Sequence, residues 1–362
     1  MGRAFRFSAP RRAEVVDVED PSPGPGEVLL ATVASGISAG TELTVYRGSN
    51  PYLTTAWDPR RRLFVPGGEP RPYPWDAFGY EEVGRVTGVG SDEDRDLLGR
   101  VAWGTWGHRS SVVRPASYVR PRILPVGARP VVGVFAKIGA IALNAVLDAD
   151  VHVGEDVVVF GAGVPGQVVA QLARLNGARV TVVDLVPARR ELALALGAAA
   201  ALDPASDDVA EAVRAATDDR GADVVIEMSG SHQALQEAVR TAAYSSRVVA
   251  AGFLQGPGTA LRLGDEFHHN RIAIVGSQIS GVAPHLQHRW SELRMSDAVL
   301  ALEREGRLRL EELITHVVDA EEAPAAFAML DSAPQAALQV VLDYGTDELM
   351  PPGAAVQRAV GR

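Results

Sequence analysis

Residues Asp156 to Asp184 read DVVVFGAGVPGQVVAQLARLNGARVTVVD. Val157 to Phe160 is a short apolar run that predicts a strand. Gly161, Gly163 and Gly166 then form a Gly-x-Gly-x-x-Gly turn. Apolar residues at helical spacing predict an amphipathic helix from about Gln167 to Asn176. A second apolar strand, Val180 to Val183, ends on Asp184, 23 positions beyond the first glycine. Strand, glycine turn, helix, strand and terminal acid together form the dinucleotide-binding fingerprint. Gly161 is expected to make the tight turn, Gly163 to admit a pyrophosphate, and Gly166 to allow close packing of helix on strand. The helix start, with Val164 and Pro165, turns its N–H groups and positive dipole end towards phosphate. Asp184 can accept hydrogen bonds from both ribose hydroxyls and repels a 2′-phosphate, which favours NAD over NADP. Arg189 and Arg190 follow closely enough to soften that preference.

The surrounding chain supports an α/β protein of more than one domain. It has 362 residues, 47% of them hydrophobic, and a net charge of −10. No basic block stands out, so neither nucleic acid nor an anionic membrane is an expected partner. There is no cysteine, which removes disulfides, thiol nucleophiles and thiolate metal sites together. The N-terminal MGRAFRFSAPRRAEV lacks a signal-peptide core. The apolar stretch 131–151 carries Lys137, Asn144 and two aspartates, unlike a membrane span. The expected setting is cytoplasmic.

Residues 1–128 read as β-rich, with short runs such as Glu14–Val18, Val28–Val33, Val83–Val89 and Ser111–Arg114 between Pro/Gly turns. Arg47 to Trp75 is a long segment rich in proline, arginine and aromatics, including Arg60, Arg61, Arg62, Trp57, Tyr73 and Trp75. It suits a lid, a polar-substrate contact or a subunit contact. Beyond Pro130 helices alternate with strands, which implies a doubly wound parallel sheet. The tail after Tyr344 is rich in glycine and proline and is expected to fray.

Four segments resemble the medium-chain dehydrogenase/reductase superfamily: Ser35–Leu43, Phe78–Gly90, Ala142–Gly166 and Leu313–Leu330. The resemblance implies a GroES-like β-barrel catalytic domain (1–128), a Rossmann domain (129–285) and a return to the first domain (286–362). It also implies hydride transfer in an interdomain cleft and a homodimer or homotetramer. GISAGTE and GYEEVG look closest to a zinc-less subgroup that includes bacteriochlorophyllide hydroxyethyl dehydrogenases. The zinc-ligand positions of the family fall here on Ser38 or Ala39, Tyr80 and Lys137, and the cysteine-rich structural lobe is absent. No metal site is therefore expected.

Without zinc, the oxidation of an alcohol needs a general base and the reduction of a carbonyl a general acid. Tyr80 is the expected proton carrier, with Lys137 lowering its pKa. Glu81 could act as base or pair with Lys137. Thr41 matches a proton-relaying hydroxyl of the family, whereas the relay histidine position holds Thr44. His108 is an alternative acid/base or substrate contact. The reading is an NAD-dependent, metal-independent dehydrogenase acting on a secondary alcohol or ketone of a polar, ring-shaped substrate such as a cyclitol, a sugar or a natural-product intermediate. An NAD(P)H-dependent quinone or enone reductase and a catalytically silent NAD-binding protein are the alternatives.

Overall fold

A computed structural model describes residues 1–65, 69–345, 349 and 357–358. Most of the predicted tail lies outside these residues. The chain divides into two units. One comprises residues 1–137 and 314–362, and the other residues 138–313. The return to the first unit thus falls at 313/314, later than the expected 285/286. The extra length belongs to the helix Glu292–Arg304, whose Val299 sits directly against Gly139 of the second unit.

The second unit is built on six parallel strands. Their order is Ala200–Leu202, Arg179–Val183, Asp156–Phe160, Ala222–Glu227, Ala242–Ala250 and Ala273–Gly276. Numbered along the chain this is 3-2-1-4-5-6, the doubly wound order of dinucleotide-binding sheets. Val157, Val158 and Val159 are all buried, as are Val224, Val225 and Ile226. Continuous rather than alternating burial is what a parallel sheet covered on both faces demands. The strand order reverses between Asp156–Phe160 and Ala222–Glu227, and ligands of such sheets bind at that reversal, beyond the carboxyl ends of the strands.

The first unit holds a three-stranded sheet (Arg12–Val18, Gly2–Ala9, Trp75–Asp76) and a larger mixed sheet. In the latter, Glu27–Ile37 pairs antiparallel with Glu82–Val89, Ser111–Pro115 and Gln339–Asp343. This register sets Ser35 opposite Glu82 on one side and Leu342 on the other. Phe5, Phe7, Tyr46 and Phe327 form an aromatic core, with Phe5 and Phe327 stacked at 4.7 Å between centroids. Among the described residues one helical stretch, Pro130–Ala149, is long and apolar enough to cross a membrane, and 78% of it is buried inside the protein.

The arginine-rich segment forms a small hairpin, Ala56–Asp58 with Leu63–Val65, and Arg60, Arg61 and Arg62 are exposed at its turn. Trp57 and Tyr52 both lean on Phe64 at the surface. Trp75 instead is buried in the core beneath the Arg71 guanidinium.

Candidate active site and cofactor cradle

The cradle in the second unit follows from three glycines and one acid. Gly161 has a φ of +92°, and a Cβ there would press on the Ser229 backbone at 2.8–2.9 Å. Gly166 faces the turn itself, since a Cβ on it would stand 1.8 Å from the Gly161 carbonyl oxygen. Gly163 is different. Its Cβ would meet nothing closer than Pro165 Cδ at 4.0 Å, so glycine here keeps space open instead of relieving a clash. The helix Val164–Leu175 starts directly after Gly163. Pro165 has no N–H, which leaves the unbonded amides of the first turn on Val164 and Gly166. Open space before unbonded amides fits the pyrophosphate of a dinucleotide.

Asp184 closes this cradle. Its Oδ2 accepts the Ala162 N–H at 2.7 Å and its Oδ1 the Val186 N–H at 2.8 Å. Each oxygen keeps a second lone pair for a ligand hydroxyl. Arg190 is committed elsewhere, to the Asp184 carbonyl (2.6 Å) and to Asp203 (2.9 Å). Arg189 sits in the first turn of the helix Pro187–Ala195, and its carbonyl accepts Gln167 Nε2 at 2.8 Å. Opposite the glycine turn, fully buried Glu227 accepts the N–H groups of Ser229 (2.6 Å) and Gly230 (3.0 Å) and fixes that loop. Sequence reading did not single out Glu227. It follows an apolar strand in the way an ordinary terminal polar residue would.

The candidate catalytic groups lie in the first unit. The Tyr80 hydroxyl is in very short contact with Ser38 Oγ and lies 3.4 Å from Thr41 Oγ1. Ser38 precedes the helix Ala39–Arg47, which carries Thr41 and Glu42. This helix was not expected, because SAGTELTVY has small and β-branched residues and little apolar periodicity. Burial pushes the Tyr80 phenol above its ordinary value, and Glu81 adds to the effect. The expected lowering by Lys137 is therefore reversed: desolvation and two nearby carboxylates decide the direction. Lys137 lies partly buried at the start of the helix Phe135–Ala149.

Glu81 is almost entirely buried, with Gln339 Nε2 at 3.4 Å from its Oε2. Burial, then the charges of Glu42 and Glu82, hold its carboxyl well above the usual range, against the pull of Gln339 and Ser38. A carboxyl raised in this way holds a proton more tightly than an ordinary carboxylate, which suits a proton-accepting role.

His108 is buried behind these groups. Its Nε2 meets Glu42 Oε2 at 2.6 Å and its Nδ1 meets Ser35 Oγ at 2.7 Å. Burial pulls the imidazole down, but the charge of Glu42 outweighs this and the net shift is upward. Glu42 Oε1 also accepts the Ser38 N–H at 2.8 Å, so His108 and Ser38 share one carboxylate. With both ring nitrogens occupied and almost no exposed surface, His108 is placed to orient Glu42.

Glu82 was not a sequence candidate, yet it lies in the same buried cluster. Its Oε2 accepts the Trp106 N–H at 2.6 Å, while its buried Oε1 has no partner among the described residues. Burial lifts its carboxyl to about 7, against the opposing pull of His108 and Trp106. A carboxyl with a raised pKa favours the folded state when protonated. That contribution is complete below about 4.5, the ordinary value, and is lost as pH rises through about 7. Wild type is expected to lose on the order of 2 kcal/mol relative to Glu82→Gln between about pH 5 and about pH 8. Urea midpoints at the two pH values measure it, and a pH-independent difference would refute the assignment.

The family profile described as zinc-binding dehydrogenase matches residues 165–297. The D-guloside 3-dehydrogenases of Shigella flexneri and Escherichia coli K12 are each 30% identical over 345 residues, covering 93% of this chain and 98% of theirs. The chain belongs to the zinc-binding dehydrogenase family. Pyrococcus abyssi L-threonine 3-dehydrogenase is a more distant relative of this dehydrogenase, 25% identical over 338 residues, with 84% and 87% covered. The fold matches 2R,3R-butanediol dehydrogenase from Bacillus subtilis (TM-score 0.75, 21% identity, 95% and 99% covered). A Sinorhizobium meliloti zinc-binding dehydrogenase homologue bound to NADP matches with the same score at 24% identity, again covering 95% and 99%.

The family name implies zinc, and the residues here do not fit it. Ser38 and Tyr80 are hydrogen-bonded to each other, the phenol is shifted away from ionisation, and Lys137 would have to lose a proton first. Among the described residues no group of three His, Asp or Glu side chains could hold a metal. A nicotinamide dinucleotide, by contrast, fits the cradle formed by Gly161, Gly163, Val164, Gly166 and Asp184.

Proposed function

We propose that this chain is an NAD-dependent alcohol dehydrogenase that works without a metal, on a secondary alcohol or ketone of a polar, ring-shaped substrate such as a sugar. The observation that carries this reading is the set of groups at the zinc-ligand positions: two bonded hydroxyls, Ser38 and Tyr80, backed by the buried carboxyl of Glu81. The zinc-less placement suggested by GISAGTE and GYEEVG agrees with it. The name of the D-guloside 3-dehydrogenases supports a sugar-like substrate.

Bound NAD supplies the hydride acceptor, held by the glycine turn and by Asp184. Tyr80, kept protonated by its raised pKa, accepts a hydrogen bond from an alcohol substrate while donating to Ser38, and donates to the oxygen of a carbonyl substrate in the reverse direction. In oxidation the proton leaves through the hydroxyls of Tyr80 and Ser38 towards Glu81; in reduction it returns along the same route. Thr41 fixes the Tyr80 hydroxyl from the other side. Glu42, oriented by His108, holds the Ser38 amide in place. We place the enzyme in the cytoplasm as a homo-oligomer acting on small molecules.

The NADP bound to the Sinorhizobium homologue makes cofactor choice the first test. Chelator-treated protein titrated with NADH and NADPH is expected to prefer NADH by about tenfold or more, about 1.4 kcal/mol. Asp184→Ser is expected to narrow that ratio while weakening both ligands, because the carboxylate also fixes Ala162. Secondary alcohols are then screened with NAD. Equal or tighter NADPH binding would favour an NADPH-dependent reductase of quinones or enones. Tight NADH binding without turnover on any alcohol, carbonyl or alkene would mark a catalytically silent protein.

A further inference from the structure

A second feature of the first unit lies outside the proton route. A cavity of about 270 Å³ is bordered by Arg3, Arg109, Ser110, Glu321 and Tyr344, with Phe5 and Leu342 among its apolar walls. Arg3 is already committed. Its guanidinium binds both oxygens of Glu321, at 2.9 and 2.5 Å, and Asp17 at 2.7 Å. Asp319, also on the wall, spends an oxygen on the Glu321 N–H at 2.8 Å. Ser110 Oγ accepts the Arg3 N–H at 2.8 Å, and its hydroxyl proton is free to turn.

Arg109 is the exception. It is partly buried, its Nε is sealed from solvent, and that nitrogen has no hydrogen-bond partner among the described residues. Among the described residues no carboxylate forms an ion pair with it. Asp76, which acts on it from a distance, is bonded to Arg6 at 2.5 Å. Glu82 gives one oxygen to Trp106. Burial and neighbouring Arg114 push the guanidinium below its usual value, against the opposing pull of Asp76 and Glu82. Tyr344 lies within its electrostatic reach and turns its hydroxyl to Ser35 at a long 3.3 Å. A half-buried guanidinium whose sealed Nε lacks a partner is costly to a fold. A guanidinium fork matches a carboxylate or phosphate in two parallel hydrogen bonds, and a phenol or serine hydroxyl can supply a third.

We propose that the cavity beside Arg109 is a binding site for a small oxyanion, a carboxylate or phosphate group carried by a metabolite. The volume admits a small acid but not a nucleotide. The site borders His108 and reaches Ser35 through Tyr344, yet none of its residues carries the transferred proton.

The test uses the protein saturated with NADH, so that the cradle's own phosphate contacts are filled. Inorganic phosphate and malonate are titrated separately by calorimetry at constant ionic strength, with chloride as the balancing salt. Saturable one-to-one binding of at least one probe is expected, and the probe that binds tells phosphate from carboxylate. Arg109→Gln should weaken it at least tenfold, Arg109→Lys less, and Arg114→Gln should leave it near the wild-type value. An unchanged near-ultraviolet circular dichroism spectrum, to which Trp57, Trp75, Trp103 and Trp106 of the first unit contribute, shows that each variant has folded. Wild type gives a second readout: the bound probe should protect Arg109 from an arginine-specific reagent, read by mass spectrometry. Saturable binding that survives Arg109→Gln, no saturable heat from either probe, or modification of Arg109 that the probes do not slow would each overturn the proposal.

Discussion

Tyr80→Phe is expected to lower kcat for the NAD-dependent oxidation of a secondary alcohol by about a hundredfold or more, the usual worth of a positioned proton-transferring group. NADH affinity should stay unchanged. The substituted ring keeps its packing and loses only the hydroxyl that meets Ser38 and Thr41. Glu81→Gln should cost a similar factor, because it removes the inner proton acceptor while leaving an amide beside Gln339. If the two residues serve one route, the double variant should be no slower than the worse single variant, since groups acting as a unit are strongly non-additive. The pH profile of kcat provides a second check. The raised Glu81 carboxyl should give an ionisation in wild type that Glu81→Gln lacks. Full turnover by Tyr80→Phe would remove the phenol from the mechanism. Additive losses with an unchanged pH profile would reduce Glu81 to a packing role.

The second large effect separates two glycines that look alike in the sequence. Gly166→Val is expected to weaken NADH binding by about a hundredfold, about 2.7 kcal/mol, and to destabilise the free protein as well. A side chain there collides with the Gly161 carbonyl, so the turn must open before anything binds. Gly163→Ala should weaken NADH while leaving the melting temperature of the free protein nearly unchanged, because its methyl group meets no protein atom closer than 4.0 Å. Thermal melts with and without NADH measure both. Equal destabilisation of the free protein by the two substitutions would mean that Gly163 does not reserve space for a ligand.

What could be read in advance was what lies close together along the chain. Gly161, Gly163, Gly166 and Asp184 fall within one βαβ unit, where spacing alone dictates geometry. The bond from Asp184 to the Ala162 amide could not be foreseen, because it depends on a side-chain torsion. The cluster of Ser35, Glu42, Glu82 and His108 was hidden for a different reason. It joins residues up to 73 positions apart, and strand register decides whether Glu82 stands beside Ser35. Tyr80 and Glu81 were recognised through resemblance, yet the direction of the phenol shift was not. Desolvation depends on every neighbour at once, whereas the sequence offered a single cation, Lys137. The strand Gly2–Ala9 was also missed, since GRAFRFSA alternates too weakly to stand out beside the turns that follow it.

The chain's division at 137/138 and 313/314 also orders events in time. A ribosome releases the whole nucleotide-binding sheet before it makes Ile314–Asp319 or Gln339–Asp343, so that sheet can fold as a unit during synthesis. The other sheet has to wait, with Glu27–Ile37 lacking one of its partner strands until Gln339–Asp343 emerges. Gln339, which meets Glu81, and Tyr344, which meets Ser35, are among the last described residues to be made. Nascent chains of this protein should therefore acquire dinucleotide affinity well before they acquire a completed proton route.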